Sequence, residues 1–158
     1  MSPPVMSKPA LIRQIRSLLE EQLSITVAAA EDAKENATGD ETKSDGKYDT
    51  RAIEAAYLAG AQAKQAEKLA DSVRLLTVFD PAPYDEDDGI GAGALVETDH
   101  DGKVVFYFLT PAGGGHTVEY NGFYCTVLTP ESPLYQDLLG SHAGELLEDS
   151  SIMILEVS

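Results

Sequence analysis

The stretch Gly39–Gly60, GDETKSDGKYDTRAIEAAYLAG, decides how this chain is read. Its first half is charged and broken by Gly39 and Gly46; its second half is alanine-rich with helical spacing. No apolar bridge joins the two halves. A charged, glycine-broken segment that opens directly into a helix predicts a turn between two helices, with its acids held at the junction.

The flanks support that reading. Over residues 9–37 apolar or small side chains recur at Ile12, Leu19, Leu23, Thr26, Ala30, Ala33 and Ala37, with Ile15 and Leu18 widening the stripe. This is the three-four spacing of a helix seam, and Pro9 suits a first helical turn. Residues 48–76 repeat it at Ile53, Ala56, Gly60, Ala63, Ala66, Ala70 and Val73. Small seam residues let two helices approach closely, so the segments are expected to fold back as an antiparallel coiled-coil hairpin over 9–76. At ~1.5 Å per residue each arm would span about 40–45 Å. The tip falls at about 38–47, and residues 1–8 read as a disordered start.

Residues 77–90, TVFDPAPYDEDDGI, read as a linker, because two prolines and four consecutive acids suit neither helix nor strand. From residue 91 to 158 the period changes to that of strands. Gly91–Thr98 and Lys103–Thr110 flank Asp99-His100-Asp101-Gly102, and His116–Tyr120 and Phe123–Thr129 flank Asn121-Gly122, both hairpin signals. Ser132-Pro133 opens a short helix ending at Gly140, and Ser151–Val157 is a closing strand. The predicted class is α+β: a helical hairpin followed by a small antiparallel sheet domain with one short helix.

Composition narrows the partners. A formal net charge of −16 on 158 residues repels nucleic acid and anionic membranes, so neither DNA binding nor membrane attachment is expected. It favours a partner with a basic surface, or a cation. No apolar run is long enough to cross a bilayer, and a cytoplasmic location is expected. The single cysteine, Cys125, lies in an alternating apolar run and reads as a buried structural thiol.

Few residues suggest chemistry. No Cys/His pair has metal spacing, and His100, His116 and His142 fall in turns or strand ends. Gly113-Gly114-Gly115 is followed by no lysine-bearing helix, so it reads as a flexible connection rather than a phosphate cradle. The tip differs. It gathers Asp40, Glu41 and Asp45, with Asp49 just beyond, and such carboxylates suit a hard cation like Mg²⁺.

Two stretches carry a resemblance. Val127–Leu146, VLTPESPLYQDLLGSHAGEL, is similar to the C-terminal signature of the GreA/GreB family of bacterial transcript cleavage factors, a strand ending in V-x-S/T-P, a short helix and L-L/I-G-K-x-x-G-D. The tip GDETKSDGKY resembles that family's G-D-L-K-E-N-A-E-Y, ending at Tyr48, with Tyr57 where the family has an aromatic. The resemblance covers nearly the whole chain. It implies a C-terminal domain of FKBP-like fold that docks on RNA polymerase, while the coiled coil enters the secondary channel. There Glu41 and Asp45, with Asp40, would share Mg²⁺ with the polymerase and support cleavage of backtracked RNA. The protein would not be an enzyme by itself, and a hairpin that satisfies its own seam is expected to be a monomer.

The sequence departs from the family at one critical place. Counted back from Tyr48, the first family acid lands on Glu41, but the second lands on Ser44, which is no anionic ligand. Two readings stay open: stimulated cleavage through Glu41 with Asp45 or Asp40, or a non-cleaving regulator of the same channel. An FKBP-like peptide-binding module is a third. Prolyl isomerases of that fold place a tryptophan at the pocket floor, and this chain has none.

Overall fold

The structure, a computed structural model, describes residues 6–38, 50–85, 87–148 and 150–158. It holds two long helices, α1 (Lys8–Thr38) and α2 (Thr50–Val78), followed by a sheet region. That region comprises β1 (Leu95–His100), β2 (Lys103–Leu109), β3 (Thr117–Tyr120), β4 (Phe123–Leu128), α3 (Pro133–Leu138), β5 (Leu146–Leu147) and β6 (Ile152–Val157). The chain divides into two compact units. One joins Met1–Ser17 with Arg74–Ser158; the other is Leu18–Val73.

Within the sheet-bearing unit, six strands are ordered β3-β4-β2-β1-β6-β5. The two strongest turn signals form tight hairpin turns. Asp101 and Gly102 have φ of 49° and 91°, and Asn121 and Gly122 have 51° and 84°, the paired positive values that match strand twist. The Asp99 carboxylate accepts a 2.6 Å hydrogen bond from the Gly102 amide, securing the first turn.

The expectation of a purely antiparallel sheet is corrected: β2 and β4 run parallel, with Phe106 paired to Cys125 and Leu109 to Leu128. The two strands of the β3–β4 hairpin are unequal. In β4, Cys125, Val127 and Leu128 are buried, whereas in β3 only Val118 is. The more apolar strand takes the interior place beside β2 and the polar one becomes the edge. Since β3 leaves the end of β2 and reverses, β4 returns parallel to it.

One face of the sheet is closed by α3. Val96, Tyr107, Leu109, Leu128, Ile154 and Val157 pack with Tyr135 and Leu138 of that helix, and Ile90 joins them. Pro133 supplies the first turn of α3, although Ser132 at its N-cap makes no side-chain cap bond. On the opposite face Phe108 is wholly buried and its ring lies 6.2 Å from that of Phe79. Phe106 meets Phe123 edge-on at 5.7 Å, a favoured aromatic geometry. Leu11, Ile15 and Leu76, from the helix ends that belong to this unit, are equally buried.

The segment after α2 is tied down at Ala82 and Tyr84. The Tyr84 hydroxyl donates to the Ala92 carbonyl at 2.7 Å, and Lys8 donates to the Ala82 carbonyl at 3.0 Å while lying over the Tyr84 ring. Ile90 is bonded to the segment that follows α3: its carbonyl accepts from the Gly140 amide and its amide donates to the Ser141 carbonyl.

Candidate functional site

The helical unit is the arm on which the candidate acids are carried. In α1 the expected seam is recognisable: within this unit Leu19 and Ala33 are buried and Leu23, Thr26 and Ala30 are half-buried, while Ile12 and Ile15, on the part of α1 that belongs to the sheet-bearing unit, are buried there. In α2 the expected seam holds in the second half only: Ala66, Ala70 and Val73 are half-buried and Leu69 beside them is buried, while Ile53, Ala56, Gly60 and Ala63 are exposed and Ala59 and Gln62 are half-buried instead. Tyr57, at the position where the resembled family has an aromatic, is 81% exposed. The first half of α2 has too few large side chains to declare a face, whereas Leu69 in its second half is buried.

A cleft of about 470 Å³ follows from this alanine-rich seam, with Leu23, Val27 and Ala30 of α1 on one side and Ala59, Ala63 and Ala66 of α2 on the other. Glu31, Lys34 and Glu67 also line it. Ile25, Tyr57 and Leu58 are exposed on the same two helices. Their exposure was not legible from spacing alone, because each lies within a helix turn of a residue that reads equally well as seam.

Asp40, Glu41, Ser44, Asp45, Tyr48 and Asp49 lie outside the described residues. Their place in the chain follows from the helices: Thr38 ends α1 and Thr50 begins α2, so all six belong to the connection between them or its last residues. Among the described residues no group of three His, Cys, Asp or Glu side chains is placed to hold a metal. No described helix is long and apolar enough to cross a membrane.

In the sheet-bearing unit the titratable groups are mostly structural. His100 Nε2 and the Tyr107 hydroxyl share a 2.8 Å hydrogen bond, and burial pushes the Tyr107 phenol up from its ordinary value. His116 Nδ1 lies 3.0 Å from the Gly113 carbonyl. His100 and His116 are thus half-buried and bonded; His142 is exposed and pairs with Glu145 at 3.4 Å. Cys125 is fully buried, and desolvation pushes its thiol up to about 12, far from the reactive thiolate range.

The glycine run makes a turn whose geometry is defined at three points. Gly113 and Gly115 adopt φ of 88° and 86°, and the Gly115 amide is already bonded to the Val127 carbonyl. A Cβ at Gly114 would stand 2.6 Å from the Thr129 hydroxyl. That threonine belongs to the Val127–Leu146 signature, whose parts are now placed. Val127 and Leu128 end β4; the Thr129 carbonyl accepts from the Ser132 amide; the Pro130 carbonyl accepts from Gln136 Nε2 at 2.7 Å. Gly140, with φ of 79°, terminates the helical segment. The signature therefore builds a strand-to-helix corner rather than a constellation of reactive groups.

No family model matches the chain, and no curated protein matches it. Among solved structures it is similar to GreA factor homolog 1 (Gfh1) of Thermus thermophilus, with 16% identity over 90% of this chain and 94% of that one, at a TM-score of 0.35. A structure of the transcription factor Gfh1 aligns at 18% identity over 90% and 92%, with a TM-score of 0.34. Gfh1 of Thermus aquaticus aligns at 18% over 89% and 92%, with a TM-score of 0.33. All three are distant likenesses.

Proposed function

We propose that the protein is a Gre-like regulator of RNA polymerase, which places its helical hairpin in the secondary channel and modulates transcription without supporting RNA cleavage. The observation that carries this reading is Ser44 within GDETKSDGKY, at the position of the second acid of the family it resembles, on the connection between two helices of 31 and 29 residues. Helices of that length reach about 45 Å at ~1.5 Å per residue, enough to carry a short connection deep into a recess. A serine hydroxyl adds no negative charge to a Mg²⁺ site, so Glu41 alone would answer to the family pair. Two-metal hydrolysis needs the second cation held firmly enough to activate water and stabilise the displaced oxygen.

A second reading follows from the neighbours of Ser44. Asp45 is adjacent and Asp40 precedes Glu41, so a one-residue shift in the connection would restore two carboxylates. In that case Glu41 and Asp45 would bind Mg²⁺ together with the polymerase and promote cleavage of backtracked RNA in trans. The sheet-bearing unit, read as an FKBP-like domain by resemblance, would dock outside the channel in both readings.

The test uses a stalled, backtracked elongation complex with labelled RNA and Mg²⁺, given the wild-type protein or a Glu41→Ala/Asp45→Ala variant. The expected result is no added cleavage, together with displacement of a known channel-binding factor. Cleavage by the wild type that disappears in the variant would establish the second reading. Absence of both cleavage and displacement would end the polymerase reading.

A further inference from the structure

Charge is distributed very unevenly along the chain. Residues 79–158 contain fifteen Asp and Glu against Lys103 as their one Lys or Arg, a formal −14 of the whole chain's −16. Most of these acids are scattered over turns and edges, where they keep the surface solvated. Two are not. Glu97 of β1 and Glu156 of β6 are direct partners across the antiparallel pair. Like charges directly opposite each other are a pairing that sheets ordinarily avoid, because the side chains stand about 5 Å apart on one face. The register shift next to Glu97 leaves Leu155 as the extra residue of β6, between Ile154 and Glu156.

The neighbouring rung is apolar apart from Asp99. Met153 pairs with Asp99 on one side and Leu146 on the other, and Asp99 pairs with Val104. By strand alternation this rung shares its face with Glu97 and Glu156. Leu146 is 53% exposed, Leu155 43%, and Met153 and Val104 are half-buried. Asp99 is engaged by its own turn, but no ion pair joins Glu97 or Glu156 to any cation among the described residues. Partial burial, and then Glu156, push the Glu97 carboxyl up. Isolated, the patch holds two mutually repelling carboxylates beside aliphatic side chains. A guanidinium laid across both would turn that repulsion into charge-assisted hydrogen bonds, while its neighbours covered the aliphatic rung.

We propose that the face formed by Glu97 and Glu156 with Met153 and Leu146 is a docking surface for an arginine-bearing, partly apolar segment of a basic partner protein. The proposal goes beyond the polymerase reading and does not depend on it. A second copy of this chain is disfavoured as the occupant, since two such faces would oppose acids to acids.

The experiment titrates the full-length, nitrogen-15-labelled protein at low salt with a synthetic helical peptide of interspersed leucine and arginine. The same peptide with glutamate in place of arginine is the control. Saturable binding is expected, with the largest amide shifts at Glu97, Asp99, Met153 and Glu156 and none from the control. Glu97→Gln/Glu156→Gln should weaken Kd at least ~10-fold, whereas Glu131→Gln/Asp137→Asn, which removes equal charge beside and within α3, should change it less than ~2-fold. Preserved spectral dispersion in both variants separates lost contact from lost fold. Equal weakening by the two variants, shifts spread over other acidic surfaces, or no saturation would overturn the proposal.

Discussion

Glu97 illustrates how much a single position depends on its neighbours. Its carboxyl is pushed up by partial burial and then by Glu156 opposite. The folded chain therefore holds this proton more tightly than the unfolded chain does. The stability linked to it is fully present below the unfolded pKa and is lost as pH rises through the folded pKa. Glu97→Gln should accordingly gain stability over the wild type when the pH is raised from about 4 to about 7, and little at the lower value. Urea midpoints of both proteins at the two pH values would check this; an identical difference at both would contradict it. None of this was legible in the sequence, where Glu97 and Glu156 are separated by two hairpins and a helix. Glu41, Ser44 and Asp45 are the opposite case: the role proposed for them rests entirely on spacing along the chain.

At the level of elements, local signals and long-range packing divided the work. Asp101-Gly102 and Asn121-Gly122 specified their turns because a positive φ is a property of the residues themselves. Strand order was not local, since either strand of the β3–β4 hairpin could have joined β2. The segment after α2 is fixed by close approach rather than by regular structure. Gly93 has φ of 86°, its amide donates to the Leu109 carbonyl, and an added Cβ would meet Pro81 Cβ at 2.8 Å. Gly93→Ala should therefore destabilise the sheet-bearing unit by about 2–4 kcal/mol, from backbone strain together with the clash. Gly102→Ala, with φ of 91° but nothing within 4 Å, should cost about 1–2 kcal/mol. Chemical denaturation of the two variants side by side would measure the difference, and equal losses would remove the packing role assigned to Pro81.

Over the whole molecule, the concentration of negative charge in residues 79–158 should make stability depend on salt. Raising the ionic strength from about 0.01 M to about 0.15 M shortens the screening length from ~30 Å to ~8 Å and should raise Tm by weakening self-repulsion. A Tm that stays level or falls across that range would show that local pairings outweigh the net charge. The chain's own sequence determined the two long helices, the charged connection between them, the hairpin turns and the short helix opened by Ser132-Pro133. Each of these is governed by contacts within a few residues. Only the tertiary structure decided that β4 lies inside and parallel to β2, that α2 turns Leu69 and Leu76 inward rather than Ile53, and that Glu97 faces Glu156. Those outcomes rest on competition for burial between segments far apart in the chain, and no local pattern encodes which of several apolar surfaces wins it.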